Sequence, residues 1–312
     1  MTRPESWSLS DMPDQAGRTT MVTGPTAGGL GFFTALELAR RGGRVVLAGR
    51  SAEKLEESAS QIRRQVPQAE VEQLVVDLAD LASVRRAAAR AGALGPLDCL
   101  VNNAGVMAPP YSRTGDGFEL QMATNHFGPF LLTGLLLPQL VAASGGARVV
   151  TVSSLMHRVA RKAPLGDPRE EPRRYLRWPA YSETKLANVL FTFELDRRCR
   201  EAELPVKALA AHPGFSGTHL AANGRYGTAA RGRGAILDAA IKVVSQSAHA
   251  GALPTLMAAT ADLPGSTYCG PGALGEMGGL PRVVTPTRLA RSESAARELW
   301  ELSEQAVGLE YP

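Results

Sequence analysis

A tyrosine and a lysine lie four residues apart in the segment AYSETKLANVLFTFEL. Because positions i and i+4 share one face of an α-helix, Tyr181 and Lys185 are expected to lie side by side. A phenol has a pKa of about 10, which is too high for ready proton exchange at neutral pH. An ammonium group about 4 Å away would stabilise the phenolate by about 4 kcal/mol at an effective dielectric constant of about 20. The pair predicts a tyrosine that acts as a general acid or base, although the same spacing is also common on plain helix surfaces.

The segment TGPTAGGLG, residues 23–31, is a glycine-rich turn between an apolar run and a helical pattern. It does not fit the phosphate loop of nucleotide triphosphatases, because that motif needs a lysine where this sequence has Leu30. From Gly29 onward it fits a dinucleotide-binding turn, in which glycines let the backbone approach a pyrophosphate at the start of a helix. A tight turn that binds no ligand is the alternative interpretation.

The residue that follows the apolar run RVVLAG, residues 44–49, helps to predict which dinucleotide would bind. A sheet that binds NAD(H) places a carboxylate there for the ribose hydroxyls, whereas the segment LAGRS has Gly49 and then Arg50. A guanidinium can form paired bonds to a 2′-phosphate and stack on adenine, so the sequence favours NADP(H) over NAD(H). An arginine that only meets solvent is the alternative.

Short apolar runs alternate with helical patterns along the whole chain. The third helical pattern begins at Asp80, a predicted N-cap, and the apolar segment 127–143 is too short for a membrane span and is predicted to be a buried helix. This alternation predicts an α/β fold, namely a Rossmann-type doubly wound parallel sheet with helices on both faces, in a single domain. The predicted strands are residues 19–24, 44–49, 71–77, 97–103, 147–154 and 206–214.

The composition excludes several classes of protein. With 312 residues, 44% hydrophobic and 21% charged residues and a net charge of +4, the chain is expected to be globular and not to bind nucleic acid. Cys99, Cys199 and Cys269 lack the spacing of a disulfide framework or a zinc site, so no metal is predicted. Residues 1–17 form a polar N-terminal extension without the apolar core of an export signal. A cytoplasmic protein is therefore expected.

Several motifs, taken in order, resemble those of the short-chain dehydrogenase/reductase family. The resemblance covers nearly the whole chain and is strongest to the branch of the retinol dehydrogenases and the WW-domain-containing oxidoreductase. It implies one catalytic domain over residues 18–312. The motifs are TGPTAGGLG, the NNAG at 102–105, Asn125 in TNHFGPF, the serines of VVTVSS, YSETK, HPG at 212–214 followed by Thr218, and the late YCGPGALGEMGG.

The resemblance implies a role for each motif residue. Tyr181 would exchange a proton with the substrate oxygen, and Lys185 would lower the pKa of the tyrosine and hold the nicotinamide ribose. Ser154, rather than Ser153, would orient the substrate oxygen, and Asn125 would hold a water molecule of the proton relay. The expected cofactor-binding residues are Gly24, Thr26, Gly29, Leu30, Gly31, Arg50, Asp77, Leu78, Asn103, Ala104, Gly105, Tyr181, Lys185, Pro213, Gly214 and Thr218. Each residue also has a structural alternative, such as a helix-capping turn for Asp77.

The sequence departs from the family pattern in two places. The glycine-rich turn has one additional residue, which predicts a local bulge around residues 26–28. The segment 157–178, with seven basic and three acidic residues, is predicted to be a surface insertion near the substrate entrance. The segment 215–245 is expected to cover the substrate.

These patterns predict an NADP(H)-dependent oxidoreductase that acts on a hydrophobic carbonyl or alcohol substrate of small to medium size. A non-catalytic NADP(H)-binding sensor or scaffold is the first alternative, and redox-assisted chemistry on nucleotide sugars is the second. The presence of all four expected catalytic residues favours the enzyme, since a sensor has no need of them. Assembly into a homo-oligomer is left open, because the apolar helix could pack within one chain or against a partner.

Overall fold

The computed structural model describes residues 6–215 and 247–312, and in these ranges it shows one eight-stranded sheet. The strand order is β3-β2-β1-β4-β5-β6-β7-β8, with every neighbouring pair parallel except β7 and β8. The strands β1 and β4 lie side by side. From β1 to β3 the sheet is extended on one side of β1, and from β4 to β8 it is extended on the other side. The strands are β1 Thr19–Thr23, β2 Arg44–Gly49, β3 Val71–Val75, β4 Cys99–Asn102, β5 Ala147–Val152, β6 Val206–Ala211, β7 Tyr268–Ala273 and β8 Gly278–Val283.

Helices cover both faces of this sheet. The helices α3, α5, α6 and α8 contribute to the hydrophobic core on one face, and α1, α2 and α7 to the core on the other. The predicted doubly wound α/β fold is therefore confirmed. The helices are α1 Leu30–Arg40, α2 Ala52–Gln65, α3 Leu81–Ala91, α4 Leu120–Met122, α5 Gly128–Val141, α6 Arg177–Glu201, α7 Ala248–Thr260 and α8 Glu293–Val307.

All six predicted strands form, and most of them end a little before the predicted limit. The central residues of β2, β4 and β5 are buried, as expected for strands covered by helices on both sides. The polar residues that follow leave the sheet and form loops at its carboxyl edge. The β7–β8 hairpin was not predicted, because Pro271 and three glycines interrupt the strand pattern in YCGPGALG.

Local capping interactions begin two of the helices. The side chain of Asp80 accepts a hydrogen bond from the Ser83 backbone N–H at 3.0 Å, which confirms the predicted N-cap of α3. Ser51 accepts from Lys54 N at 3.3 Å and begins α2 in the same way. These caps place the first turns of both helices directly after β2 and β3.

The helix α5 is buried along most of its length, which confirms the prediction for segment 127–143. Tyr311 packs against it from within the same chain. The Tyr311 ring lies 4.9 Å from the Phe130 ring and 4.8 Å from the Trp300 ring, measured between centroids, and its hydroxyl donates to Phe130 O at 2.9 Å. Within the described ranges, no helix is long and apolar enough to span a membrane.

Replacing Tyr311 with alanine should lower the free energy of unfolding by about 2–3 kcal/mol, because the aromatic contacts with Phe130 and Trp300 would be lost. Replacement with phenylalanine should cost only about 1 kcal/mol, the contribution of one hydrogen bond. Urea unfolding of the three proteins would measure both differences. Equal stability of the alanine variant and the original protein would contradict this packing.

The described part of the N-terminal extension packs onto the domain. The Trp7 side chain is only 3% exposed and that of Met12 only 2%. The Trp7 backbone N–H donates to Pro281 O on β8 at 3.0 Å. The extension thus contributes apolar residues to the core, which its polar composition did not indicate.

The segment between β5 and α6 runs along the surface and is fastened at Arg169. The guanidinium of Arg169 lies 4.4 Å from the centroid of the Phe118 ring and donates to Ala306 O at 3.2 Å. Arg113 donates to the Arg169 carbonyl at 2.8 Å. These contacts fix the insertion without adding a strand or a long helix.

Candidate active site

The helix α6 places Tyr181 and Lys185 on one buried face. The two residues are 6% and 4% exposed, and Lys185 Nζ lies 5.8 Å from the centroid of the Tyr181 ring. Lys185 Nζ also donates to the carbonyl of Val152, the last residue of β5, at 3.0 Å. The predicted pair therefore lies beside the carboxyl end of β5.

The two serines after β5 have different partners. Ser154 is the N-cap of the 3-10 helix Leu155–Val159, called the serine turn below, and its hydroxyl accepts from Met156 N at 3.2 Å. The Ser154 hydroxyl also lies close enough to the Tyr181 phenol to act on the pKa of that phenol. Ser153 Oγ instead donates to the Lys185 carbonyl at 2.7 Å. The Ser154 hydroxyl, and not that of Ser153, acts on the pKa of the Tyr181 phenol.

Burial sets the protonation of this pair. Burial raises the pKa of Tyr181 to about 12, although the nearby Ser154 hydroxyl acts in the opposite direction. Burial lowers the pKa of Lys185 to about 8. The lowering of the Tyr181 pKa by Lys185 stays a prediction, because desolvation of the phenolate is the largest effect of the protein on this phenol. Tyr181 is protonated at neutral pH and can donate a proton.

Asn125 lies in a π-helical turn, Ala123–Phe127, between α4 and α5. Its amide donates to Val106 O at 2.9 Å and to Thr184 Oγ1 at 3.0 Å, and its oxygen accepts from Val106 N at 2.8 Å. Such π-turns often occur at functional sites because they displace one residue from the regular helix. Asn125 here joins the loop after β4 to α6, while its binding of a water molecule stays a prediction.

The glycine-rich turn takes up its additional residue in a hydrogen-bonded turn. Gly29 N donates to Thr26 O at 2.9 Å, and Gly28 has a φ of +75°, which favours glycine. Gly29 is the N-cap of α1 without a side-chain cap, so backbone N–H groups at the start of this helix are available for an anion. The predicted bulge at residues 26–28 is therefore present.

Close packing explains why two further positions of this turn are occupied by glycine. A Cβ at Gly31 would lie 2.5 Å from Asn103 Nδ2, and one at Gly24 would lie 2.8 Å from Ala104 Cα. Asn103 Nδ2 donates to Thr23 O at 2.7 Å, and Thr23 Oγ1 accepts from the backbone of both Asn103 and Ala104 at 3.0 Å. The loops after β1 and β4 thus form one cradle of backbone atoms, which fits a dinucleotide pyrophosphate. The sequence had not singled out Thr23, although it precedes the first glycine of the motif.

The remaining expected residues follow strands of the same sheet, except Thr218, which falls outside the described residues, as does residue range 216–245 of the predicted substrate-covering segment. Thr26 is exposed and Leu30 is buried at the start of α1, while Gly105 lies within 3.6 Å of Lys185 Nζ, measured from an ideal Cβ. Arg50 is exposed at the end of β2. Asp77 and Leu78 follow β3, and Pro213 and Gly214 follow β6.

Two of these outer residues also have structural roles. Asp77 Oδ1 accepts from Ala79 N at 2.9 Å, which is the turn given above as its alternative role. Leu78 is 5% exposed and packs beneath Gly128, where an added Cβ would meet the Leu78 carbonyl. In the part of the chain that the structure describes, no group of three or more His, Cys, Asp or Glu side chains could hold a metal ion.

Comparison with known proteins identifies the family. The sequence model of the family described as short chain dehydrogenase matches residues 18–165. Retinol dehydrogenase 13 of Homo sapiens is 39% identical over 300 residues, which are 95% of this chain and 86% of that protein. The chain belongs to the short-chain dehydrogenase/reductase family. Within it, the similarity lies with the retinol dehydrogenase branch.

Two further members of this family are similar over much of the chain. Polyprenol dehydrogenase of Mus musculus is 44% identical over 213 residues, covering 67% of this chain and 63% of that protein. The crystal structure of an uncharacterized protein from Mycobacterium paratuberculosis is 43% identical, with a TM-score of 0.80, and the match covers 98% of this chain and 99% of that chain. The family consists of oxidoreductases that use NAD(P)(H), so this short-chain dehydrogenase/reductase is a hydride-transferring oxidoreductase of alcohol or carbonyl groups.

Proposed function

We propose that the protein is an NADP(H)-dependent oxidoreductase that reduces a hydrophobic carbonyl compound or oxidises the corresponding alcohol, with Tyr181 as general acid and base. The observation that carries this proposal is the buried phenol of Tyr181, beside the Ser154 hydroxyl and one helical turn from Lys185. It lies at the same edge of the sheet as the glycine cradle. The nicotinamide cofactor would supply or accept the hydride when bound.

The protein groups would handle the proton. Ser154 would hold the substrate oxygen beside the Tyr181 hydroxyl, which is protonated at neutral pH and would donate as the hydride arrives. Lys185, with a pKa of about 8, is mostly a cation at neutral pH and would stabilise the phenolate left behind. Tyr181 and Lys185 are buried, which excludes water and strengthens these interactions.

This arrangement predicts different pH dependences for the two directions. Alcohol oxidation needs the phenolate of Tyr181, so kcat/KM for oxidation should rise about tenfold per pH unit between about pH 6 and 8. Carbonyl reduction needs the phenol and should change by less than about threefold over the same range. Initial rates in both directions would show the difference. An oxidation rate that is constant over this range would contradict Tyr181 as the base.

Apolar side chains beside Tyr181 support a hydrophobic substrate. The Trp178 ring lies 6.2 Å from the Tyr181 ring at an interplanar angle of 87°, and Leu176 is 49% exposed. A groove of about 480 Å³ is lined by Pro110, Tyr175, Leu176, Arg177, Trp178 and Pro179. The names of the related retinol and polyprenol dehydrogenases refer to alcohols that are themselves apolar, in keeping with this surface.

Oxidation of NADPH in the presence of aldehydes, ketones and quinones would test the proposal, with NADH measured in parallel. Turnover that prefers NADPH and a hydrophobic carbonyl compound would support it. Binding of NADPH without turnover of any compound would instead favour a sensor or scaffold. Failure to bind either dinucleotide would show that the glycine cradle does not accept a cofactor.

A further inference from the structure

The turn between β7 and β8 holds a strained backbone. Leu274, Gly275 and Glu276 have φ values of 52°, 64° and 69°, so three successive residues adopt the left-handed conformation. Only one of them is glycine, and other residues adopt this conformation at a cost in energy. Backbone strain of this kind persists where surrounding contacts impose it, and it is frequent at functional sites.

The contacts that fix this turn are those of the Glu276 carboxylate. Its Oε1 accepts from Arg158 Nη2 at 2.7 Å, and its Oε2 lies 3.1 Å from His212 Nε2. His212 Nδ1 accepts from Gly214 N at 3.2 Å, so Nε2 carries the proton and donates to Glu276. Burial disfavours the charged carboxylate, but the bonds from His212 and Arg158 outweigh it and keep the pKa of Glu276 below its usual value.

The two partners of Glu276 belong to the two segments that flank the reaction. Arg158 lies in the serine turn, which begins at Ser154. His212 opens the loop after β6 that carries Pro213 and Gly214, the residues expected beside the nicotinamide. The carboxylate therefore connects the segment that would hold the substrate oxygen with the segment that would border the cofactor.

A second set of contacts connects the same segments. His157 in the serine turn bonds through Nδ1 to Ser154 O at 2.7 Å, and its ring packs against Tyr268 on β7. The Tyr268 ring in turn lies 5.2 Å from the His212 ring. Phe215 N donates to Met277 O at 2.9 Å, directly after Glu276. The strand β7 and the turn that follows it thus contact both segments, and Glu276 supplies the only charged group of this turn.

We propose that Glu276 is a positioning residue for hydride transfer, which fixes the serine turn relative to the 212–214 loop by binding Arg158 and His212 at once. This inference rests on the proposed function. Hydride transfer depends steeply on the distance and orientation of the reacting groups, so a small relative shift of the two segments would lower the rate. A residue with a merely structural role would affect stability without this kinetic effect.

Four variants test the contacts that Glu276 makes with Arg158 and His212. Glu276→Ala removes both, Glu276→Gln removes the charge at nearly constant size, and Arg158→Gln removes only the contact to the serine turn. Glu293→Gln is the control, because Glu293 forms an exposed ion pair with Arg297 at 3.5 Å on α8. The measurements are kcat, the Kd for NADPH from fluorescence in the absence of substrate, and the midpoint of thermal unfolding.

We expect Glu276→Ala to lower kcat about tenfold and to raise the Kd for NADPH about fivefold, because both segments lose their common partner. Arg158→Gln should lower kcat about threefold to fivefold with little change in Kd, since the 212–214 loop keeps its contact. Glu293→Gln should match the original protein in all three measurements.

Values of kcat and Kd within about twofold of the original protein in both Glu276 variants would overturn the inference, even if their unfolding midpoints fell. If Glu276→Ala does not fold, Glu276→Gln decides, with an expected loss of about threefold in kcat. If the original protein binds NADPH but turns over no carbonyl compound, the proposed function fails. The Kd comparison then still tests Glu276, since unchanged binding would overturn its role and weaker binding would support its contact with the 212–214 loop.

Discussion

Replacing Tyr181 with phenylalanine should lower kcat for carbonyl reduction by about 10³-fold, while the Kd for NADPH stays within about twofold. The substitution removes only the hydroxyl oxygen, so the ring keeps its contact with Trp178 and its place on α6. The site then lacks the proton donor that the described residues supply. The substrate would then have to take its proton from water at a buried position.

Tyr311→Phe is the matched control for this experiment. It makes the same chemical change but removes the hydrogen bond of the Tyr311 hydroxyl to Phe130 O, a contact outside the candidate catalytic residues. This variant should retain full kcat. If Tyr181→Phe kept more than about one tenth of the original activity, Tyr181 would not be the principal proton donor.

The arrangement of the sheet could be predicted because it depends on local patterns. Continuous apolar runs and capping residues such as Asp80 determine where strands and helices begin, and these patterns are complete within a few residues. The cradle followed from the same logic, since loops after neighbouring parallel strands must meet at one edge of the sheet. The segment from Gly24 to Gly31 could therefore be placed near Asn103 before any coordinates were known.

Other features could not be predicted because they depend on distant residues. The burial of Trp7 depends on β8, which lies at the other end of the chain. Glu276 meets Arg158 and His212 only after β5, β6 and β7 have come together in the sheet. The raised pKa of Tyr181 follows from the depth of its burial, which the spacing of residues along the chain does not indicate.

The largest expected change in cofactor selectivity concerns Arg50. This arginine is exposed at the carboxyl end of β2, next to the strand that leads into the glycine cradle. A guanidinium bound to a 2′-phosphate forms charge-assisted hydrogen bonds of about 1.5–3 kcal/mol each, and an aspartate there would repel the phosphate and could accept from ribose hydroxyls. Arg50→Asp should therefore raise the KM for NADPH about 100-fold and lower that for NADH severalfold.

The control for Arg50→Asp should change the same charge elsewhere. Arg173 is exposed in the basic insertion between β5 and α6, away from the glycine cradle. Arg173→Asp should leave the ratio of kcat/KM for NADPH and NADH within about twofold, since it contributes only to the screened field of the whole protein. A similar ratio in the original protein and in Arg50→Asp would show that Arg50 does not contact the 2′-phosphate. The preference for NADP(H) would then have to come from other residues around the cradle.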